Sequence, residues 1–242
     1  MMDCNRKKSE IQTEIQKLTG EITMKIGIIN AGNIGRTLAK SWLKAGHELK
    51  LAKAGEHTKL ENFLKTVEGA TKGTAKEAAE FGDVALFSVY WGNLDSTLAE
   101  VGELEGKIVI DTMNPLKVSP EFEHYHDLEF MKSNSTSKEL QKRLPKSRVV
   151  KAFSTMPADL LDANQWVKNP VAPAIFIAGD DPEAKKIVSQ LARDAGFQSF
   201  DVGELANSRY IEQMGVLLHH ISTHQFEGDY GRLAPMFLKA YE

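Results

Sequence analysis

Asn30-Ala31-Gly32-Asn33-Ile34-Gly35 is the stretch whose residue types and spacing are best suited to chemistry. Backbone amides gathered at the start of a helix hold an anionic diphosphate, provided that no side chain blocks its approach, and Gly32 and Gly35 keep that approach open. Asn30 takes the place of the glycine that usually opens such a turn. Asparagine is the next most tolerant residue of unusual backbone angles, and its side chain can hold the turn by local hydrogen bonds. A lone Gly-x-x-Gly says little. Here it joins a buried strand to an amphipathic helix inside a βαβ unit, the context in which such a turn binds a nicotinamide dinucleotide.

The end of the next strand chooses between the two nicotinamide dinucleotides, because an acidic residue about 20 positions past the turn holds the ribose diol whereas a basic one takes the 2′-phosphate. Lys53 follows that strand directly, with His57 and Lys59 close by, so NADP is the expected cofactor; Glu56 keeps NAD open. Ser88-Val89-Tyr90-Trp91 and Thr112-Met113-Asn114-Pro115 end two further strands. Ligands of open α/β sheets lie beyond the carboxyl ends of the strands, so the turns containing Ser88 and Asn114-Pro115 are expected to border the nicotinamide and its ribose. Val89, Tyr90 or Trp91 either pack on the ring or lie in the core. Nothing in these turns reads as a catalytic dyad.

Histidines supply a second constellation. His220 and His224 have the i, i+4 spacing that can place two imidazoles on one metal, and His219 adjoins them, but an acidic third ligand is missing nearby. A cluster favoured by the negative end of a helix is the preferred reading, and neither these residues nor His124-Tyr125-His126 are expected to hold a metal. Arg209 and Glu212, three apart on the same helix, read as a surface ion pair, and Met214, Leu217 and Leu218 as core or subunit interface.

The elements that must position these residues alternate. Lys25 to Ile29 is a short apolar run, the mark of a strand buried on both faces, and Ile34, Leu38, Trp42 and Leu43 then fall on one face of a helix that ends at Ala45-Gly46. Strands are predicted at 47–52, 70–74, 84–89, 107–111 and 148–153, separated by helices at 57–66, 75–81, 93–101 and 137–144. This pitch implies a Rossmann doubly wound parallel sheet covered by helices on both faces. A strand at 174–178, a helix at 181–195, a strand at 198–202 and a helix at 205–224 suggest a small C-terminal α/β extension. The expected division is residues 1–23 as an N-terminal extension, 24–155 as the NAD(P)-binding domain and 156–242 as a segment completing the domain and its acceptor pocket. Ile11, Ile15, Leu18 and Ile22 recur at the spacing of a short amphipathic helix, a dimer or partner contact, but the favoured expectation is a frayed extension ahead of a fold that begins at Met24. Residues 117–135 are the least regular stretch, a lid or, as the favoured expectation, a surface excursion.

Composition narrows the partners. With 242 residues, 42% hydrophobic and 26% charged, the chain can bury a sizeable core, and a formal charge of −3 disfavours general nucleic-acid binding. Cys4 is the sole cysteine, which leaves no internal disulfide and suits a reducing cytoplasm. No stretch approaches the roughly 20 apolar residues of a membrane span. The expected partners are a small-molecule substrate and a second copy of the chain.

At this point the sequence resembles the NADPH-dependent coenzyme F-420 reductases, a group similar to the cytosolic domain of the STEAP metalloreductases. The resemblance runs from Met24 to about His220 and is carried by Met24 to Gly35, by Gly106 to Asp111 with Asn114-Pro115-Leu116, by Val149 to Phe153 with Thr155, and by Ile177 to Asp181. It implies hydride transfer between NADP(H) and a deazaflavin or flavin ring, in which the protein's work is orientation and water exclusion. Ala54-Gly55 depart from the Ser-Arg that relatives often use for the 2′-phosphate, Tyr90 replaces a common proline, and Ser154 a common asparagine. The alternatives are an imine or carbonyl reductase like pyrroline-5-carboxylate reductase, which would need a proton donor on the C-terminal helix, and a non-catalytic NAD(P)-binding sensor or interaction module.

Overall fold

The computed structural model describes residues 23–53, 57–118, 124–226 and 233–238. The N-terminal extension with its candidate helix, up to residue 22, and the Ala54-Gly55-Glu56 part of the loop after the second strand lie outside the described residues.

Strand and helix alternate as β1 (Lys25–Ile29), α1 (Asn33–Lys44), β2 (Glu48–Ala52), α2 (His57–Leu64), β3 (Ala70–Gly73), α3 (Ala75–Phe81), β4 (Val84–Phe87), α4 (Leu94–Val101) and β5 (Ile108–Asp111). All four residues of β4 and of β5 are buried, because each strand is covered on both faces. Ile26, Ile28, Leu49, Leu86 and Ile110 point into one apolar cluster, and Ile29, Ala85, Phe87 and Val109 into a second across the sheet. Each fully buried Val, Leu, Ile or Phe side chain contributes about 1.5–3 kcal/mol to that arrangement.

After β5 come the hairpin strands β6 (Leu116–Val118) and β7 (His124–His126), the short helices α5 (Leu128–Met131) and α6 (Thr136–Arg143), and β8 (Arg148–Lys151). The chain then forms β9 (Ala174–Gly179), α7 (Pro182–Asp194), β10 (Gln198–Asp201) and α8 (Ser208–Gln225). Eight of these strands make one sheet in the order β10-β9-β8-β5-β4-β1-β2-β3. The order runs outward in both directions from β1 and β4, which are parallel neighbours, so the crevice between their carboxyl ends is the topological switch point where such sheets bind ligands.

One pairing departs from the parallel expectation. Strand β9 runs antiparallel to β8, although β10 is again parallel to β9. The connection between β8 and β9 contains two 3₁₀ turns, at Ala158–Leu161 and Ala163–Trp166, and no crossover helix, so the chain enters β9 from the end at which it left β8. The sheet continues past residue 155 without a break. The Trp42 indole in α1 donates to the Leu191 carbonyl in α7 at 2.9 Å and meets Phe153 edge-on at 6.0 Å, tying the two halves of the sheet's cover together.

Candidate active site

The turn between β1 and α1 has the geometry an anionic ligand needs. Asn30 adopts φ 62°, the left-handed conformation that asparagine tolerates best after glycine. The Gly32 amide donates back to the Asn30 carbonyl at 2.6 Å, and the Ala31 amide donates to the Ala52 carbonyl at the end of β2 at 2.8 Å. Gly32 itself is the N-cap of α1, and among the described residues no side chain caps that helix, whereas Thr74 and Asp181 accept amides at the starts of α3 and α7. Among the described residues the first amides of α1, those of Asn33, Ile34 and Gly35, thus have no cap, the arrangement in which a helix start can take a ligand or water.

The two glycines of the turn serve different ends. A Cβ on Gly35 would lie 2.8 Å from Ile28 Cγ2, so that glycine is required by the close packing of helix on strand. Among the described residues, a Cβ on Gly32 would find nothing nearer than the Asn30 carbonyl oxygen at 3.8 Å, so packing does not require a glycine there. Arg36, which the sequence reading passed over, donates to the Ala31 carbonyl at 2.7 Å and to Asn33 Oδ1 at 2.8 Å. It braces the turn and adds a positive charge to the positive end of the helix.

Asn30 and Lys53 border one cleft of about 700 Å³, together with Lys72 and Thr74 beyond β3. Lys72, a second cation that sequence reasoning missed, also pairs with Glu61 at 2.8 Å. From this cleft the strand ends run in sheet order: Lys53 after β2, Asn30 after β1, Ser88 after β4, Asn114 beyond β5 and Ser154 beyond β8. Four steps of about 4.8 Å make roughly 19 Å, a span that two nucleotides joined through a pyrophosphate can cover. The Ser88 amide donates to the Ile29 carbonyl at 3.3 Å, so the turn after β4 abuts the end of β1. Val89 is buried in the second apolar cluster, Tyr90 is 63% exposed, and Trp91 packs on Phe130 at 5.3 Å. Pro115 is buried, and its carbonyl accepts the Asp127 amide at 2.8 Å.

The far end of the row opens into a cavity of about 240 Å³ between the strand ends, the β6–β7 hairpin and α8. Asn114, Ser154, Gly215, Leu218, His126 and His219 are among its lining residues. The Asn114 side chain donates to the Ser154 carbonyl at 2.8 Å, while Asn114 Oδ1 and Ser154 Oγ are buried without a hydrogen-bond partner among the described residues. Phe153, just before this wall, holds φ 59°, the strained left-handed conformation in a bulky buried residue. Residues 117–135 were expected to run over the surface; instead the hairpin within them walls the cavity through His126, because Leu116 and His126 pair across it.

Behind the cavity lies a fully buried charge cluster. The Lys151 ammonium reaches Asp111 Oδ2 at 3.3 Å, Glu212 Oε1 at 3.0 Å and Thr136 Oγ1 at 2.9 Å, and donates to the Met113 carbonyl. Asp111 Oδ2 also accepts the Ser137 hydroxyl at 2.6 Å, and Asp111 Oδ1 accepts the Met113 amide at 2.7 Å. The cluster joins β5, β8, α6 and α8 and fixes the turn that presents Asn114. Burial pushes the Glu212 carboxyl above its ordinary value and the Asp111 carboxylate adds to this, against the opposing pull of Lys151. The expected surface pair of Arg209 with Glu212 is therefore overturned. The inward face of α8 carries Ser208, Ile211 and Glu212, while Arg209 donates to the Tyr210 hydroxyl at 2.7 Å. An aspartate closing one apolar strand and a lysine closing another were the signal available in the sequence.

The histidines form a chain of rings, with centroids of His126 and His219 5.3 Å apart, His219 and His220 6.0 Å, and His220 and His224 6.1 Å. Among the described residues no group of three or more His, Cys, Asp or Glu is placed to hold a metal ion. Burial lowers the His126 imidazole from an ordinary 6.5 to about 4, with smaller contributions from His219 and His220. Between these two values the unfolded chain binds a proton that the folded chain refuses, so stability is complete above pH 6.5 and falls as the pH is lowered towards 4. Urea unfolding at stepped pH is expected to show this slope, and the slope is expected to shrink in His126→Phe.

Residues 25–115 match the family model described as NADP oxidoreductase, coenzyme F420-dependent. The F420-dependent NADP reductase of Methanocaldococcus jannaschii is 35% identical over 145 residues, which are 59% of this chain and 63% of that protein. Metalloreductase STEAP3 of Rattus norvegicus is 29% identical over 194 residues, 80% of this chain and 37% of that one. The chain thus spans less than two thirds of the length of these curated relatives. In fold, it matches a crystal structure from Arthrobacter sp. FB24 assigned as a candidate F420-dependent NADP-reductase, with a TM-score of 0.73 at 22% identity, covering 82% of this chain and 93% of that one. A reductive aminase from Aspergillus terreus in complex with NADPH and ethyl levulinate matches with a TM-score of 0.61 at 17% identity, covering 86% and 64%. The chain is thus a relative of the coenzyme F420-dependent NADP oxidoreductases, joined to them through the region that carries the turn, and its homologues include the STEAP metalloreductases.

Proposed function

We propose that this chain transfers a hydride between NADP(H) and a conjugated ring acceptor of the deazaflavin (coenzyme F420) or flavin kind. The observation that carries the reading is the continuous row of strand ends, with an uncapped helix start and two lysines near one end and a partly polar cavity at the other. The residues present fit the cofactor. The space at Gly32 supports a diphosphate on the amides of Asn33, Ile34 and Gly35, with Asn30 and Ala31 holding the turn, and Lys53, which borders the same cleft, is the residue proposed to meet the 2′-phosphate. When bound, the reduced nicotinamide supplies a hydride. The chain's own part is to orient: the turns at Ser88-Val89-Tyr90 and Asn114-Pro115 border the nicotinamide half, and the apolar wall from Leu218 and Met156 excludes water. Residues 156–242 supply that wall, which supports reading them as the segment that completes the acceptor pocket.

Steady-state oxidation of NADPH against a panel of deazaflavin, flavin, ferric and imine acceptors tests the reading; it requires turnover with a ring acceptor. Imine or carbonyl reduction is the second reading, favoured by one observation: His219 brings a titratable group on α8 to the cavity. Binding of NADPH with no acceptor reduced would instead point to a sensor or interaction module. Lys53→Ala is expected to weaken NADPH about tenfold, in line with loss of one charge-assisted contact of about 1.5 kcal/mol, and to leave NADH nearly unchanged. Equal losses in a calorimetric titration would show that Lys53 does not read the phosphate. A homodimer in the cytoplasm remains the proposed setting. Among the described residues no helix is long and apolar enough to cross a membrane.

A further inference from the structure

The cavity at the end of the row has a wall that the nucleotide-binding part of the fold does not supply. His126 comes from the β6–β7 hairpin and His219 from α8, and their ring centroids lie 5.3 Å apart, with planes tilted by 54°, across two elements far apart in the chain. Both line the same cavity as Asn114 and Ser154. At about 240 Å³ the cavity is smaller than the roughly 300–1,000 Å³ that encloses a whole drug-sized ligand, so it suits one edge of a planar ring system whose remainder projects outward.

We propose that His126 is a catalytic residue that touches the acceptor, donating an imidazole N–H hydrogen bond to the conjugated N–C=O edge of a flavin- or deazaflavin-type ring as that edge gains negative charge. The inference rests on the hydride-transfer reading above and names the group that meets the acceptor. The balance is simple. Two electrons and one hydrogen nucleus reach the acceptor ring from the reduced nicotinamide as a hydride, negative charge develops on the ring's N–C=O edge, and a proton from water completes the product. A neutral imidazole serves this role better than a cation. It stabilises charge that appears only on the way to product, without attracting anions in the resting site, and a partly enclosed position strengthens each such hydrogen bond. Burial keeps His126 in that neutral form at physiological pH. His219 packs beside the ring, the two planes tilted by 54°.

The test compares His126→Phe, which keeps an aromatic ring against His219 but loses the N–H, with His126→Gln and His126→Asn, which carry amide donors of two lengths. Riboflavin and a 5-deazaflavin serve as probes. His126→Phe is expected to lower kcat for the ring acceptors about 100-fold, as loss of a donor to developing charge does, with NADPH affinity within twofold of the parent. At least one amide variant is expected to recover about tenfold. Fluorescence quenching of the same probes in the presence of NADP is read in parallel. Riboflavin that quenches with the parent but is never reduced would sink the hydride-transfer reading, and weaker quenching with His126→Phe would then still support contact between His126 and the ring. Turnover by His126→Phe at the parental rate, a fall in NADPH affinity equal to the fall in kcat, or absence of quenching with every protein would each overturn the proposal.

Discussion

Gly32→Asp is expected to abolish NADP(H) binding while leaving the fold intact. A side chain at residue 32 grows into open space, since its Cβ would have no neighbour closer than 3.8 Å, and its backbone sits at φ −69°, which any residue adopts. Aspartate is in addition a favoured residue at a helix start, where its carboxylate accepts the amides that a diphosphate would otherwise take. The same substitution that serves the helix therefore closes the site, by occupying its donors and by placing a negative charge against a negative ligand. The expected readings are an unchanged unfolding midpoint and a loss of NADPH affinity of at least 100-fold. Gly32→Ala separates the two effects, because it adds the Cβ without the charge and is expected to bind with an intermediate loss. NADPH bound at parental affinity by Gly32→Asp would show that the diphosphate lies elsewhere. An unfolded Gly32→Asp would leave Gly32→Ala to carry the comparison.

Lys151→Met is expected to destabilise the protein more than any other single change considered. Its ammonium is fully buried between two carboxylates, each also fully buried, and removing it leaves those charges facing each other in a medium that cannot solvate them. Breaking a buried pair in this way costs about 3–5 kcal/mol, and urea denaturation would read it as a lowered midpoint. Lys151→Met combined with Asp111→Asn and Glu212→Gln is expected to recover much of the loss, since the penalty is the uncompensated charge and not the absence of lysine itself. A single variant as stable as the parent would show that the lysine does not compensate these carboxylates. The consequence reaches the site, because the cluster holds α8 against the turn after β5. In the triple variant the acceptor KM is expected to rise while NADPH affinity at the distant turn is kept.

The Asn30 to Gly35 turn was readable because all its parts are local: a buried strand, two glycines and an amphipathic helix adjoin in sequence, and the angle Asn30 adopts is the one its residue type tolerates. The alternation through β5 was equally legible, since covered strands announce themselves by unbroken apolar runs. The reversal of β9 was not, because the residues between β8 and β9 carry no periodic signal and direction depends on which end of the sheet the chain re-enters. Glu212 was misread for a related reason. Helical spacing shows that Arg209 and Glu212 are neighbours on a helix, but only packing against β5 and β8 decides which side of that helix faces inward.

The sequence alone determined the glycine turn between β1 and α1, the lysine beyond the second strand and the α/β layering, all of which follow from residues within a few positions of one another. Tertiary structure decided what closes the other end of the row. His126 and His219, or Asp111, Lys151 and Glu212, become partners only when strands and helices separated by tens of residues are brought together. Hydrophobic periodicity places each element in a layer, but the contact between two polar side chains buried beneath those layers is set by packing, which no local spacing encodes.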